Sequence, residues 1–113
     1  MKLYFKTRKL EKACAEEREA RRRWGADRAP IVLRRITQLM AAETLAEAST
    51  LRPARLHQLE GDRAGQFAVD IGPVYRMIFE PWHDPVPQTK EKGIDKTQIT
   101  KIRILSIEDY HGR

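Results

Sequence analysis

The apolar positions of this chain change period once, near Pro53, and that switch constrains the fold more than any other feature. Before it, apolar residues recur at helical spacing; from Arg55 onward they fall in short runs rich in β-branched and aromatic residues. A chain of 113 residues can bury one core but not two. Helices from the first half must therefore pack on a sheet from the second, an α+β arrangement in a single domain spanning 1–113.

The helical half opens with Lys2 to Lys6, where charge alternates with Leu3 and Phe5 as in a short strand. Thr7 can cap a first helix, with Leu10, Ala13, Cys14 and Trp24 near one face, that runs to Gly25. A second helix is expected from Asp27, with Pro30 in its first turn. Val32, Ile36, Leu39 and Met40 read as its core positions, with Arg34 and Arg35 pointing away. Thr44 to Glu47 has capping-box spacing and suits one more helical turn before Pro53. In the second half, Arg55 to Leu59, Gln66 to Ile71, Val74 to Glu80 and Ile99 to Ile107 read as strands. Gly61 to Gly65 and Gly72-Pro73 supply turns between neighbours, which implies hairpins and a mainly antiparallel, twisted sheet. Pro81 to Gln98 holds three prolines, a glycine and mixed charge. It is too broken for a strand and long for a hairpin loop, and is expected to be mobile, with Trp82 and His83 as exposed candidates for a partner contact.

Charge narrows the class of partner. The net charge is +6, and residues 1–23 alone carry nine Lys or Arg against four Glu, a surplus of five. A cationic segment of this kind favours a polyanion such as nucleic acid or an acidic protein. No apolar run is long enough for a signal peptide or membrane span, so a cytoplasmic protein with no membrane association is expected. Cys14 is the only cysteine, which excludes an intrachain disulfide, and no Cys/His spacing suggests a metal site.

Chemistry-bearing residues are concentrated in little sequence. The block LHQLEGDRAGQF, Leu56 to Phe67, holds His57 and Arg63; Arg76 lies in the apolar run Val74 to Ile78; and Asp109, Tyr110 and His111 stand in succession near the end. A charged Arg76 among Val74, Tyr75, Met77 and Ile78 must have a partner or an anionic ligand.

With the strand–helix–helix–sheet order, that block, the run Tyr75-Arg76-Met77-Ile78-Phe79 and the ending Glu108-Asp109-Tyr110-His111 resemble the HigB-like toxins of the RelE/ParE superfamily. The resemblance covers residues 1–111, with its specific motifs in the second half. It implies the toxin of a bacterial type II toxin–antitoxin pair, a metal-independent endoribonuclease without cofactor that cuts messenger RNA on the translating ribosome. Its partners would be a HigA-like helix-turn-helix antitoxin, the ribosome and mRNA, with DNA engaged only through the antitoxin. It also implies the site His57, Arg63, Arg76, Asp109, Tyr110 and His111. Metal-free RNA cleavage needs a base for the 2′-hydroxyl, cations for charge developing on phosphate and an acid for the 5′-oxygen leaving group. Histidine suits both proton transfers near neutral pH, so His57 and His111 would share them. Arg63 and Arg76 would grip the phosphate, Asp109 would orient an imidazole or help activate the nucleophile, and Tyr110 would hydrogen-bond or stack on an unpaired base. Two alternatives stand beside this: a homologue of weak or no activity that mainly forms an antitoxin complex on DNA, and a gyrase-inhibiting toxin of the ParE type. Glu60, where relatives often place a lysine, is the feature that favours the first.

Overall fold

Strand alternation sorts the second half of the chain into an apolar and a polar side, and the apolar side recruits the helices. The computed structural model describes residues 1–109. Strands β1 (Lys2–Phe5), β2 (His57–Gln58), β3 (Phe67–Ile71), β4 (Tyr75–Pro81) and β5 (Lys101–Asp109) form one sheet in the order β1-β5-β4-β3-β2. All pairings are antiparallel except β1 with β5, which is parallel. One face carries Leu3, Phe5, Phe67, Val69, Ile71, Met77, Phe79, Ile102 and Ile104 against the helices. Phe67 and Phe79, register partners, stack there with centroids 5.9 Å apart. The α-helices contribute their core residues to that face alone, and Ala68 and Ile78, buried on the other face, stand outside this cluster.

Helices from the first half cover the apolar face. Helix α1 (Arg8–Ala15) starts where the Thr7 hydroxyl accepts the Leu10 N–H at 3.1 Å, as the sequence predicts. It ends earlier than expected, because Glu16 is extended and α2 (Glu17–Ala41) follows at once. No glycine or proline marks that corner, so pattern reading carries the helix through it. The expected break at Gly25 is present as a kink inside α2, where Gly25 takes φ 90° and ψ 165°, a conformation cheap only for glycine. Pro30 removes the N–H that would bond the Ala26 carbonyl, so the first turn after the kink lacks a rung. Helix α3 (Leu45–Ala48) is capped as expected, the Thr44 hydroxyl accepting from Glu47 N–H at 3.2 Å.

Two assignments on α2 are reversed. Met40 is 58% exposed rather than core, and Arg35 is only 3% exposed rather than outward. The inward stripe runs through Val32, Arg35, Ile36 and Leu39, at i, i+3, i+4 and i+7, which leaves Met40 on the outer side. Arg35 is tolerated because its Nε donates to the Asp70 carbonyl at 2.7 Å and Nη1 to Gln38 Oε1 at 3.2 Å. Burial and the neighbouring Arg34 charge lower its pKa, while Asp70 opposes that shift.

Strand β2 is shorter than its predicted run because Arg55 adopts a left-handed φ of 48°, which bends the chain before His57; Leu59 still donates to Gln66 at 2.8 Å. Between β4 and β5 the chain makes a small excursion with its own bonds. Gln88 bridges Ile94, Thr89 N–H donates to Gly93 at 2.8 Å, and the Asp95 carboxylate accepts from Thr97. Val86 and Ile94 pack on the core and Ile99 is fully buried. Among the described residues no helix is long and apolar enough to cross a membrane.

Candidate active site on the helix-free face of the sheet

The register gathers much of the predicted site on the face without helices. In one row Asp70, Arg76 and Glu108 stand side by side across β3, β4 and β5; in the next, His57, Ala68, Ile78 and Ser106 do so across β2 to β5. Paired residues in neighbouring strands share a face. Arg63 reaches the same place from the 3₁₀ turn Gly61–Arg63, which the positive φ of Gly61 and Gly65 brackets.

Glu108 is the hub. Its Oε1 lies 2.8 Å from Arg63 Nη2 and 3.8 Å from Arg76 Nη2, while Oε2 accepts from Ser106 Oγ at 2.7 Å. Two guanidiniums from different elements thus converge on one carboxylate oxygen. A phosphate oxygen arriving there would meet the same two cations, since guanidinium forks suit carboxylate and phosphate alike.

His57 is half-buried, and its Nδ1 lies 2.8 Å from the Arg55 carbonyl oxygen. A carbonyl can only accept, so Nδ1 carries the proton and Nε2 holds the lone pair of the neutral ring. The carbonyl is itself held. Arg55 grips the Asp70 carboxylate at 2.7 and 3.2 Å, and Asp70 N–H donates to Ala54 at 2.7 Å. Through Arg35, α2 bonds the same Asp70 backbone. A base oriented in this way by a third group is the arrangement that general-base chemistry requires.

The structure therefore brings His57, Arg63 and Arg76 to one face. Asp109 pairs with Tyr75, so alternation sets it on the helix-packed side at the end of β5, away from Glu108. On that side Tyr75 lies under the Arg28 guanidinium, 3.9 Å from its ring centroid. Tyr110 and His111 lie outside the described residues. Among the described residues, no three or more His, Cys, Asp or Glu side chains are grouped so that they could hold a metal ion.

Sequence reasoning missed Glu108, Ser106, Asp70 and Arg55. A signal existed for Asp70: counting outward from the Gly72-Pro73 turn pairs it with Arg76, an opposite-charge cross-strand pair. Glu108 carries no local mark, and only the β4–β5 register reveals it.

No family model matches the chain, and no curated protein matches it by sequence. Among solved structures it resembles a YoeB/ParE toxin from Agrobacterium tumefaciens at 14% identity, with a TM-score of 0.56. The superposition covers 98% of this chain and 100% of that one. The two share a fold. That fold is the α+β arrangement expected from the sequence, with helices on one face of a mainly antiparallel sheet.

Proposed function

We propose that this chain is the toxin of a type II toxin–antitoxin pair and acts as a metal-independent endoribonuclease on mRNA engaged by the translating ribosome. The observation that carries the reading is the convergence of Arg63 and Arg76 on a single anionic oxygen, on the face where His57 has its tautomer fixed. In the proposed reaction one histidine takes the proton of the 2′-hydroxyl, whose oxygen attacks phosphorus. The bond from phosphorus to the 5′-oxygen breaks, and the second histidine protonates that oxygen. The products are a 2′,3′-cyclic phosphate and a 5′-hydroxyl.

His57 and His111 share these proton transfers. Arg63 and Arg76 exchange Glu108 for the scissile phosphate, a substitution of one anion by another that leaves their geometry in place. Tyr110 would stack on or hydrogen-bond the substrate base, and Asp109, on the other side of the sheet, is left out of the proposed chemistry. The shared fold with a YoeB/ParE toxin supports the toxin assignment, and the HigB-like motifs support mRNA as substrate and a HigA-like helix-turn-helix antitoxin as partner.

New RNA 5′ ends, mapped after brief induction in bacteria lacking the antitoxin, test the reading. Cuts inside translated codons with the wild-type protein, absent with His111→Ala, are expected. Intact transcripts at wild-type expression would reject it, and DNA damage in their place would point to gyrase.

A further inference from the structure

The helix-free face has a second cluster, at the opposite end of the sheet from Glu108. Alternation along β1 puts Lys2 and Tyr4 on this face, since Leu3 and Phe5 join the core. Their register partners on β5 are Lys101 and Arg103, and Arg103 in turn faces Glu80 of β4. Trp82 follows Glu80 by two residues, and is 42% exposed.

Cations and rings interleave here. The Arg103 guanidinium lies over the Trp82 ring at 4.2 Å, and the Lys2 ammonium over the Tyr4 ring at 5.7 Å. Glu80 fixes the first pair, its Oε2 accepting from Arg103 Nε at 2.8 Å with Nη2 at 2.7 Å. The backbone under Trp82 is fixed as well. Trp82 N–H donates to Lys101 at 2.8 Å, and His83 Nε2 accepts from Thr100 and Lys101 N–H at 3.1 and 3.3 Å. An exposed indole with so little freedom left has already lost most of the entropy that stacking a ligand on it would cost.

From these contacts we infer that Lys2, Tyr4, Trp82, Lys101 and Arg103 form a binding surface for single-stranded RNA, in which the rings stack on unpaired bases and the cations follow the phosphates. The chemistry selects this partner. Three cations face one acid, which suits a polyanion, and interleaved aromatic residues suit a polyanion whose units present flat π-faces. An acidic polypeptide would use the charges and leave the rings idle. Glu108 stands five positions after Arg103 on β5, roughly 17 Å at about 3.3 Å per residue, so one strand of RNA can lie across both clusters. The inference deepens the ribonuclease reading by adding a site that holds the substrate away from the scissile bond.

Binding of a short, uncleavable 2′-O-methyl oligouridylate to the full chain provides the test, read by tryptophan quenching, since Trp82 is exposed and Trp24 is buried. Trp82→Ala, monitored by anisotropy of a labelled oligonucleotide, should bind roughly tenfold more weakly, whereas Trp82→Phe, which keeps a ring, should stay within about threefold of wild type. Replacing Lys2 and Lys101 with alanine should lower the slope of log affinity against log salt by about 1.4, about 0.7 for each phosphate that is no longer neutralised. Unchanged affinity in Trp82→Ala together with an unchanged salt slope would overturn the surface. So would polyglutamate binding as tightly as the oligonucleotide and without regard to Trp82, which would mark an acidic protein site. Neither result touches cleavage, which the 5′-end map reads separately. Conversely, an intact transcriptome alongside Trp82-dependent binding would reject the nuclease and support the RNA surface.

Discussion

The two ends of the helix-free face hold similar numbers of cations in opposite conditions. At one end each guanidinium has a carboxylate: Arg63 and Arg76 share Glu108, and Arg55 holds Asp70. At the other, Lys2, Lys101 and Arg103 face only Glu80, and among the described residues neither lysine has an ion-pair partner. A paired cation is oriented before a ligand arrives and exchanges one anion for another at little cost in reorganisation, which is what chemistry at a phosphate demands. A solvated lysine supplies attraction without geometry, which is what holding a flexible strand demands. On the proposed reading, one sheet thus separates positioning from affinity along its length.

That division is most easily broken at Arg76. Arg76→Ala should lower mRNA cleavage by about 10²–10³-fold, the size of losing one charge-stabilising donor at the reacting group. Arg76→Lys should recover little, because an ammonium cannot reproduce the fork. Trp82→Ala should cost cleavage no more than its roughly tenfold loss of RNA affinity. Counting codon cuts per transcript at equal expression compares the three. Equal losses at Arg76 and Trp82 would mean that the two ends do not divide the work as described.

A smaller effect sharpens the same contrast in stability. Arg63 and Glu108 are 37% and 30% exposed, so solvent screens their attraction, and a double-mutant cycle with Arg63→Ala and Glu108→Gln should give a coupling of at most about 1 kcal/mol. Thermal unfolding of the four proteins measures it as a few degrees in Tm. A coupling of several kcal/mol would make Glu108 a structural anchor rather than a displaceable occupant of the site.

What the sequence makes legible follows from the range over which each signal acts. The alternation of Phe67, Val69 and Ile71 and the caps at Thr7 and Thr44 are local, and each stands where the pattern puts it. The corner at Glu16 has no local breaker, and the burial of Arg35 depends on a carbonyl 35 residues away. The site divides the same way. Residue type suggested His57, Arg63 and Arg76, but Glu108 became the partner of the two arginines only through a register set by the whole β4–β5 ladder, with its bulge at Ile78/Phe79. Asp109 shows the converse: adjacent to Glu108 in sequence, it belongs to the other face.

The smallest expected effect concerns the anchor beneath Trp82. Burial, and secondarily the Lys101 charge, lower the pKa of His83 below the ordinary value of 6.5, and its Nε2 accepts two backbone N–H bonds that only the neutral ring can take. A histidine whose folded pKa is depressed contributes its full stability above its unfolded value and loses that contribution as pH falls through the folded one. The bonds from Thr100 and Lys101 should therefore persist below about 6.5, the ordinary histidine value, and weaken only as pH falls through the lower folded one. Amide exchange at these two positions, corrected for intrinsic rates, should rise by about fivefold on acidification, matching one net hydrogen bond of about 1 kcal/mol. In His83→Gln, whose side-chain oxygen accepts at every pH, the corrected rates should stay flat. Parallel acidification curves in the two proteins would separate Trp82 from His83 and leave the exposed ring to be held by Arg103 and the Trp82–Lys101 backbone bond alone.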